Sequence, residues 1–174
     1  LHTYGGLPAW LAIIAIMLLS CSLGLLYGFA LWVGARITLR IKHAGVAALA
    51  IAPACWMLAD WTRNWIFTGF SWLATGYAHT ASPLSGYAAV VGAYGIGWIC
   101  TIIAGCIAWM FQTGYFNRVA IALIIVLIGV GSALKSIHWT EAQGSLIRVR
   151  LLQGNVPQQM KFSEEHVVQS LALY

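Results

Sequence analysis

Four long apolar runs, separated by shorter polar or turn-rich stretches, fill the first 139 residues of the chain. Across residues 8–35 Tyr27 is the only ionisable side chain apart from a cysteine thiol, and the run exceeds the ~20 residues a spanning helix needs. Gly24, Gly28 and Gly34 predict close helix packing there, although the GxxxG of Gly24 and Gly28 arises readily by chance in glycine-rich membrane segments. The second run, 44–67, contains Pro53, whose missing donor predicts a kink. The third, 83–111, carries no charge and has glycines at 86, 92, 95, 97 and 105. The fourth, 119–138, reaches spanning length if Lys135 snorkels to the membrane surface. The pattern predicts a polytopic α-helical membrane bundle of four helices over residues 1–139.

The pattern changes after Trp139. Residues 140–145 are polar and read as a linker. LIRVRLL at 146–152 then alternates apolar and basic residues with the period of two expected of a half-buried strand. Gly154, Asn155 and Pro157 predict a turn. Ser163 reads as an N-cap, with Glu164 and Glu165 in the first turn of a helix whose apolar side is Val167, Val168 and Leu171. A strand and a helix of this length cannot bury a core alone, so residues 146–174 read as the start of a second, incomplete domain. Leu1 stands where an initiator methionine would, and no cleavable signal peptide is visible, so the chain is expected to begin inside a longer protein.

Charge sets the orientation. The chain is 61% hydrophobic and 7% charged, with a net charge of +5, and its basic residues are scattered beside apolar runs. That placement argues for lipid surfaces and against nucleic acid. Arg36, Arg40 and Lys42 form the densest basic cluster and, with Arg118, put the loops after the first and third spans in the cytoplasm. Both ends of the chain are then extracytoplasmic. Cys21, Cys55, Cys100 and Cys106 lie in apolar runs without metal-ligand spacing, so they read as small hydrophobes, and no metal or cofactor is expected.

The charges inside the second run carry the sharpest signal. Trp56, Asp60 and Arg63 fall at i, i+4 and i+7, so a helix puts an acid and a base on one face beside an aromatic ring. Charges at membrane depth are costly and are held in pairs, either as an intrabundle ion pair or as a polar seat for a lipid headgroup. The structural reading is the stronger. Trp61, Trp65 and Trp72 gather where an interfacial aromatic belt would lie. His79 and His138 have no cysteine or serine in a recognisable arrangement and read as surface histidines.

PACWMLADWTRNWIFTGFSWLATGY at 53–77, followed beyond the spans by VRLLQGNVPQQMKF at 149–162, resembles the bacterial apolipoprotein N-acyltransferases of the carbon-nitrogen hydrolase (nitrilase) superfamily. The resemblance implies that the bundle precedes an extracytoplasmic αββα nitrilase-like domain, of which this chain holds the first strand and helix. It implies a multi-pass protein of the bacterial cytoplasmic (inner) membrane, with that domain on the periplasmic side. The implied reaction moves a fatty acyl chain from a phospholipid donor, through a cysteine thioester, to the N-terminal diacylglyceryl cysteine of a lipoprotein. A glutamate acts as general base and acid and a lysine supports the oxyanion. None of the three catalytic residues matches a position here, so the fragment alone is expected to be inactive. Phe162 falls where the family often has tryptophan near the mouth of the active site, and with Trp72 and Trp65 it is a candidate lipid contact. Ser71 stands where the family usually has proline, and Asp60 where a glutamate is common. A small membrane scaffold or transporter fragment, with Asp60 and Arg63 marking a translocation path, is the competing reading.

Overall fold

The computed structural model of the chain describes residues 6–41, 43–151 and 153. Four helices in it are long and apolar enough to cross a membrane: α1 (Ala9–Thr38), α2 (Ala44–Thr62), α3 (Ala88–Thr113) and α4 (Arg118–Lys135). Two 3₁₀ turns, Thr75–His79 and Pro83–Tyr87, lie between α2 and α3. Residues 20–140 form one unit, and the described residues before 20 and after 140 belong to another.

α1 follows Pro8, whose carbonyl accepts from the amides of Leu11 and Ala12. Its strong helix formers are apolar on every side, and its last turn holds Arg36, a cation where the helix dipole favours one. Such an all-round apolar surface is stable only against lipid or other helices. Leu25 and Phe29 are accordingly exposed. Two contacts fasten α1 to α2. Gly34 lies so close to Cys55 that a Cβ would sit 3.0 Å from its Sγ, and Tyr27 reaches Asp60. Gly24 and Gly28, in contrast, face no neighbour among the described residues.

α2 takes up its proline by widening before it. An α-helical Pro53 would press on the carbonyl of Leu49 and leave it without a donor. Leu49 instead lies in a π turn, Ala47–Ile51, that precedes the α-helical Ala52–Thr62. The same turn presents the carbonyl of Ala48 to α3, where only Gly105 lets the backbones approach. The helix ends at Thr62, earlier than the apolar run to residue 67. Turn bonds from Asn64, Trp65 and Ile66 to the carbonyls of Trp61 and Thr62 close it, and Phe67 turns to a φ of 58°, which no helix tolerates.

α3 is interrupted at Gly92, whose φ of 65° and ψ of −174° are open to glycine. The core lies where α3, α4 and the Pro83–Tyr87 turn meet, at Leu84, Tyr87, Ile96 and Ile99, with Leu127 and Leu134 of α4 against them. Tyr87 satisfies its buried hydroxyl by donating to the Leu127 carbonyl at 2.8 Å. Asn117 caps α4 by accepting from the amides of Val119 and Ala120. The helix stops at Lys135, whose Nζ donates to the Ala81 carbonyl at 3.3 Å.

Among the described residues there is no strand. Residues 145–151, where the alternation predicts one, are exposed and without regular structure. A strand exists only through a ladder to a neighbour, and none of the described residues offers one. The predicted turn at 154–157 and the helix beginning near Ser163 lie outside the described residues.

Candidate functional site

The last turn of α2 carries a buried polar knot. Asp60 is 2% exposed and Arg63 5%, and the guanidinium Nη2 lies 2.9 Å from Asp60 Oδ1. The i,i+3 spacing puts both on one face, and the C-terminal position favours the cation. Tyr27 of α1 donates its hydroxyl to the same carboxylate oxygen at 2.5 Å. The other oxygen, Oδ2, accepts from the amide of Thr75 at 3.0 Å. Thr75 Oγ1 in turn accepts from Trp56 Nε1 at 2.9 Å. Three chain segments are thereby tied to one carboxylate.

Aromatic faces complete the enclosure. The Tyr27 and Trp56 rings lie 4.8 Å apart, and the Arg63 guanidinium sits 5.6 Å from the Tyr27 ring centre, within cation–π range. Gly97 of α3 backs the knot, since a Cβ there would come within 3.2 Å of Thr75 and 3.6 Å of Asp60 Oδ2. The Arg63 carbonyl accepts from the amide of Phe70 at 2.9 Å, which folds the following loop back on the helix end. Arg63 Nε is the one buried side-chain polar atom without a partner among the described residues. With both of its oxygens engaged and its charge matched, the carboxylate is built to hold structure together.

The loop pinned by the knot exposes large apolar side chains. Trp65 is 65% exposed, Phe67 96% and Trp72 75%. Phe67 and Leu73 both hold positive φ, a strained state for non-glycine residues that persists only where surroundings enforce it. Gly69 closes the loop at a φ of 79°, and its position leaves no room for a Cβ beside the Asn64 carbonyl. The structure thus gathers Asp60 and Arg63 in the knot and holds Trp65 and Trp72 out on the loop. Phe162 lies outside the described residues.

His79 is half-buried and has two side-chain partners. Its Nε2 lies 3.0 Å from Cys100 Sγ, and its Nδ1 lies 3.4 Å from Ser82 Oγ. The Ser82 hydroxyl gives its proton to the His79 carbonyl and accepts from the amide of Leu84. The ring thus bridges the Ser82 hydroxyl and the Cys100 thiol, with donor and acceptor set by its tautomer. Sequence reading missed this contact because the partners stand 21 positions apart in different elements. His138 is exposed. Cys55 and Cys106 are buried, whereas Cys21 is exposed on the bare side of α1. No group of three or more metal-ligating side chains forms among the described residues. Tyr27 and Thr75 are the knot members that spacing within α2 cannot supply, although Tyr27 is the one phenol in its run.

Comparison with known proteins extends this picture. Residues 1–106 match the family model of the apolipoprotein N-acyltransferase N-terminal domain. The whole chain is 40% identical to an apolipoprotein N-acyltransferase of Ralstonia nicotianae and 39% identical to one of Chromobacterium violaceum. It is 32% identical to the Coxiella burnetii protein of the same name. The chain spans about a third of the length of these relatives, 33%, 34% and 36% respectively.

Proposed function

The chain belongs to the apolipoprotein N-acyltransferase family, and on that premise we propose that it is the membrane portion of an enzyme that transfers a fatty acyl chain from a phospholipid to the N-terminal S-diacylglyceryl cysteine of lipoproteins. The transfer runs through a cysteine thioester. The catalytic glutamate, lysine and cysteine are assigned to a nitrilase-like hydrolase domain that opens at residue 146, after the bundle at 1–139 and the linker at 140–145. They match none of residues 1–174, and the fragment alone is inactive. The protein sits in the bacterial inner membrane, with the hydrolase domain on the periplasmic side.

The observation that supports a lipid-handling role is the knot and its loop taken together. A buried ion pair fixes the end of α2, and the loop it anchors holds Trp65 and Trp72 outward, where aromatic rings favour the membrane interface. Phe162 joins them as a lipid contact at the mouth of the hydrolase domain. The competing reading, a translocation path through Asp60 and Arg63, finds less support, because both Asp60 oxygens are already engaged within the protein.

The test is acyl transfer by the full-length protein from a phospholipid with a labelled acyl chain to a diacylated lipopeptide. Label should move to the peptide amine. Trp72→Ala should raise KM for the phospholipid several-fold with kcat held, the signature of lost uniform binding. Label that stays on the phospholipid overturns the reading. Orientation is tested separately: reporter fusions after Gln112 should behave as cytoplasmic and fusions after Gly144 as extracytoplasmic, and the reverse pattern would invert the topology.

A further inference from the structure

A second site runs from the knot, with which it shares Trp56, toward the C-terminal end of α1. α1, α2 and α3 enclose an open groove of about 730 Å³, which lies within the ~300–1,000 Å³ of small-molecule sites. Trp56 and Thr101 line its deep end, and Thr38 and Gln112 its other end. From Thr101 to Gln112 along α3 the groove extends about 16 Å at 1.5 Å per residue. That depth is close to half of a ~30 Å hydrocarbon core, the thickness of one leaflet.

Charge is confined to the surface end. Leu39, which lines the groove, also lines an adjoining depression with Trp32, Arg36 and Arg40. Arg36 and Arg40 are exposed, and neither has a carboxylate partner among the described residues. Arg36 is held against the Trp32 ring, 4.9 Å from its centre, which orients the guanidinium in that depression. A guanidinium matches the geometry of phosphate oxygens, and two of them, one in the last turn of α1 and one in the turn that follows it, favour an anion that also brings an apolar tail.

We propose that this groove holds one acyl chain of an anionic phospholipid whose phosphate sits on Arg36 and Arg40. Length, apolar lining and the one-ended charge together select a lipid of the leaflet at which α1 ends, which is the cytoplasmic one in the orientation proposed above. This lipid is distinct from the acyl donor, which the hydrolase domain would meet at the other membrane face. It serves as a bound structural partner that fills the space between α1 and the α2–α3 pair.

Electron paramagnetic resonance of the full-length protein in vesicles, with spin-labelled phosphatidylglycerol or phosphatidylcholine, tests the assignment. The motion-restricted fraction should show a three- to tenfold preference for phosphatidylglycerol. Arg36→Gln with Arg40→Gln should reduce that preference to near one, and Arg36→Lys with Arg40→Lys should retain part of it. Ala104→Leu with Ala108→Leu, both exposed positions in the groove, should remove about one restricted lipid per protein with the thermal transition kept. Equal association of the two lipids with the unaltered protein overturns the proposal. So does a preference that survives loss of both arginines, or a restricted-lipid number that filling the groove leaves unchanged, as it would if another part of the protein covered it.

Discussion

Asp60→Ala in the full-length protein is expected to destroy most of the folded yield. The substitution removes the acceptor of three hydrogen bonds and leaves Arg63 charged at 5% exposure with no carboxylate. Breaking a buried pair from one side costs about 3–5 kcal/mol, comparable with the whole stability of many domains. Asp60→Asn keeps the shape and part of the hydrogen bonding but loses the charge, so its yield should be intermediate. Tyr27→Phe forfeits only the hydroxyl bond to a charged acceptor, about 1.5–3 kcal/mol, and should fall nearer the parent. Replacing both partners, Asp60→Asn with Arg63→Met, should recover yield relative to Asp60→Ala, because no orphan charge remains. Fluorescence-detected size exclusion with a thermal ramp measures all four. The knot also anchors the Trp65–Trp72 loop, so surviving Asp60→Asn protein should keep most of its turnover. Normal yield with lost turnover would move Asp60 from a structural role to a substrate role.

Gly86→Ala is expected to be nearly as damaging, although it adds a single methyl group. A Cβ at Gly86 would run into the carbonyl of Gly131 and come within 2.6 Å of the Lys135 amide, so the collision is backbone against backbone. No rotamer change relieves it. The Pro83–Tyr87 turn would have to lift off α4, which opens the core at Leu84 and Tyr87 and pulls the Tyr87 hydroxyl from Leu127. Overpacking of this kind costs about 1–3 kcal/mol where side chains can shift, and more where they cannot. Gly24→Ala is the control: nothing lies within 4 Å of its Cβ, and alanine gains about 1 kcal/mol of helix propensity. Thermal unfolding in detergent should therefore move down sharply for Gly86→Ala and stay level or rise for Gly24→Ala. If the two shift alike, the crossing of the turn and α4 is not as described.

Much of the helical architecture was legible because lipid is a demanding solvent. It requires long uncharged runs, and four of them stand out from the sequence without reference to any partner. The i, i+4, i+7 placement of Trp56, Asp60 and Arg63 likewise announced one face of one helix. What periodicity could not supply was the other half of each contact. Tyr27 and Thr75 reach Asp60 from 33 and 15 positions away, and spacing within one helix says nothing of them. The glycines were similarly ambiguous. Gly24 and Gly28 carried the familiar spacing and touch nothing, whereas Gly86 and Gly105, with no motif around them, make the tight crossings. The alternation at 146–152 predicted a strand because it records a side-chain pattern, but a strand is a relation between two segments, and no second segment is present among the described residues.

The π turn at Ala47–Ile51 has a consequence for the phase of α2. It houses one more residue than an ordinary turn would, so everything beyond it is rotated by about 100° relative to an uninterrupted helix. Ahead of the knot it meshes with α3 through Ala48 and Gly105, and twelve residues after Ala48 it delivers Asp60 to Tyr27 and Thr75. By absorbing that residue, the wide turn lets both ends of α2 engage at once, like a gear that takes up one tooth more than its neighbours. The same span run straight through Ala47–Ile51 as an α-helix, with no residue removed, would keep its hydrophobicity and turn its carboxylate about 100° away from Tyr27 and Thr75.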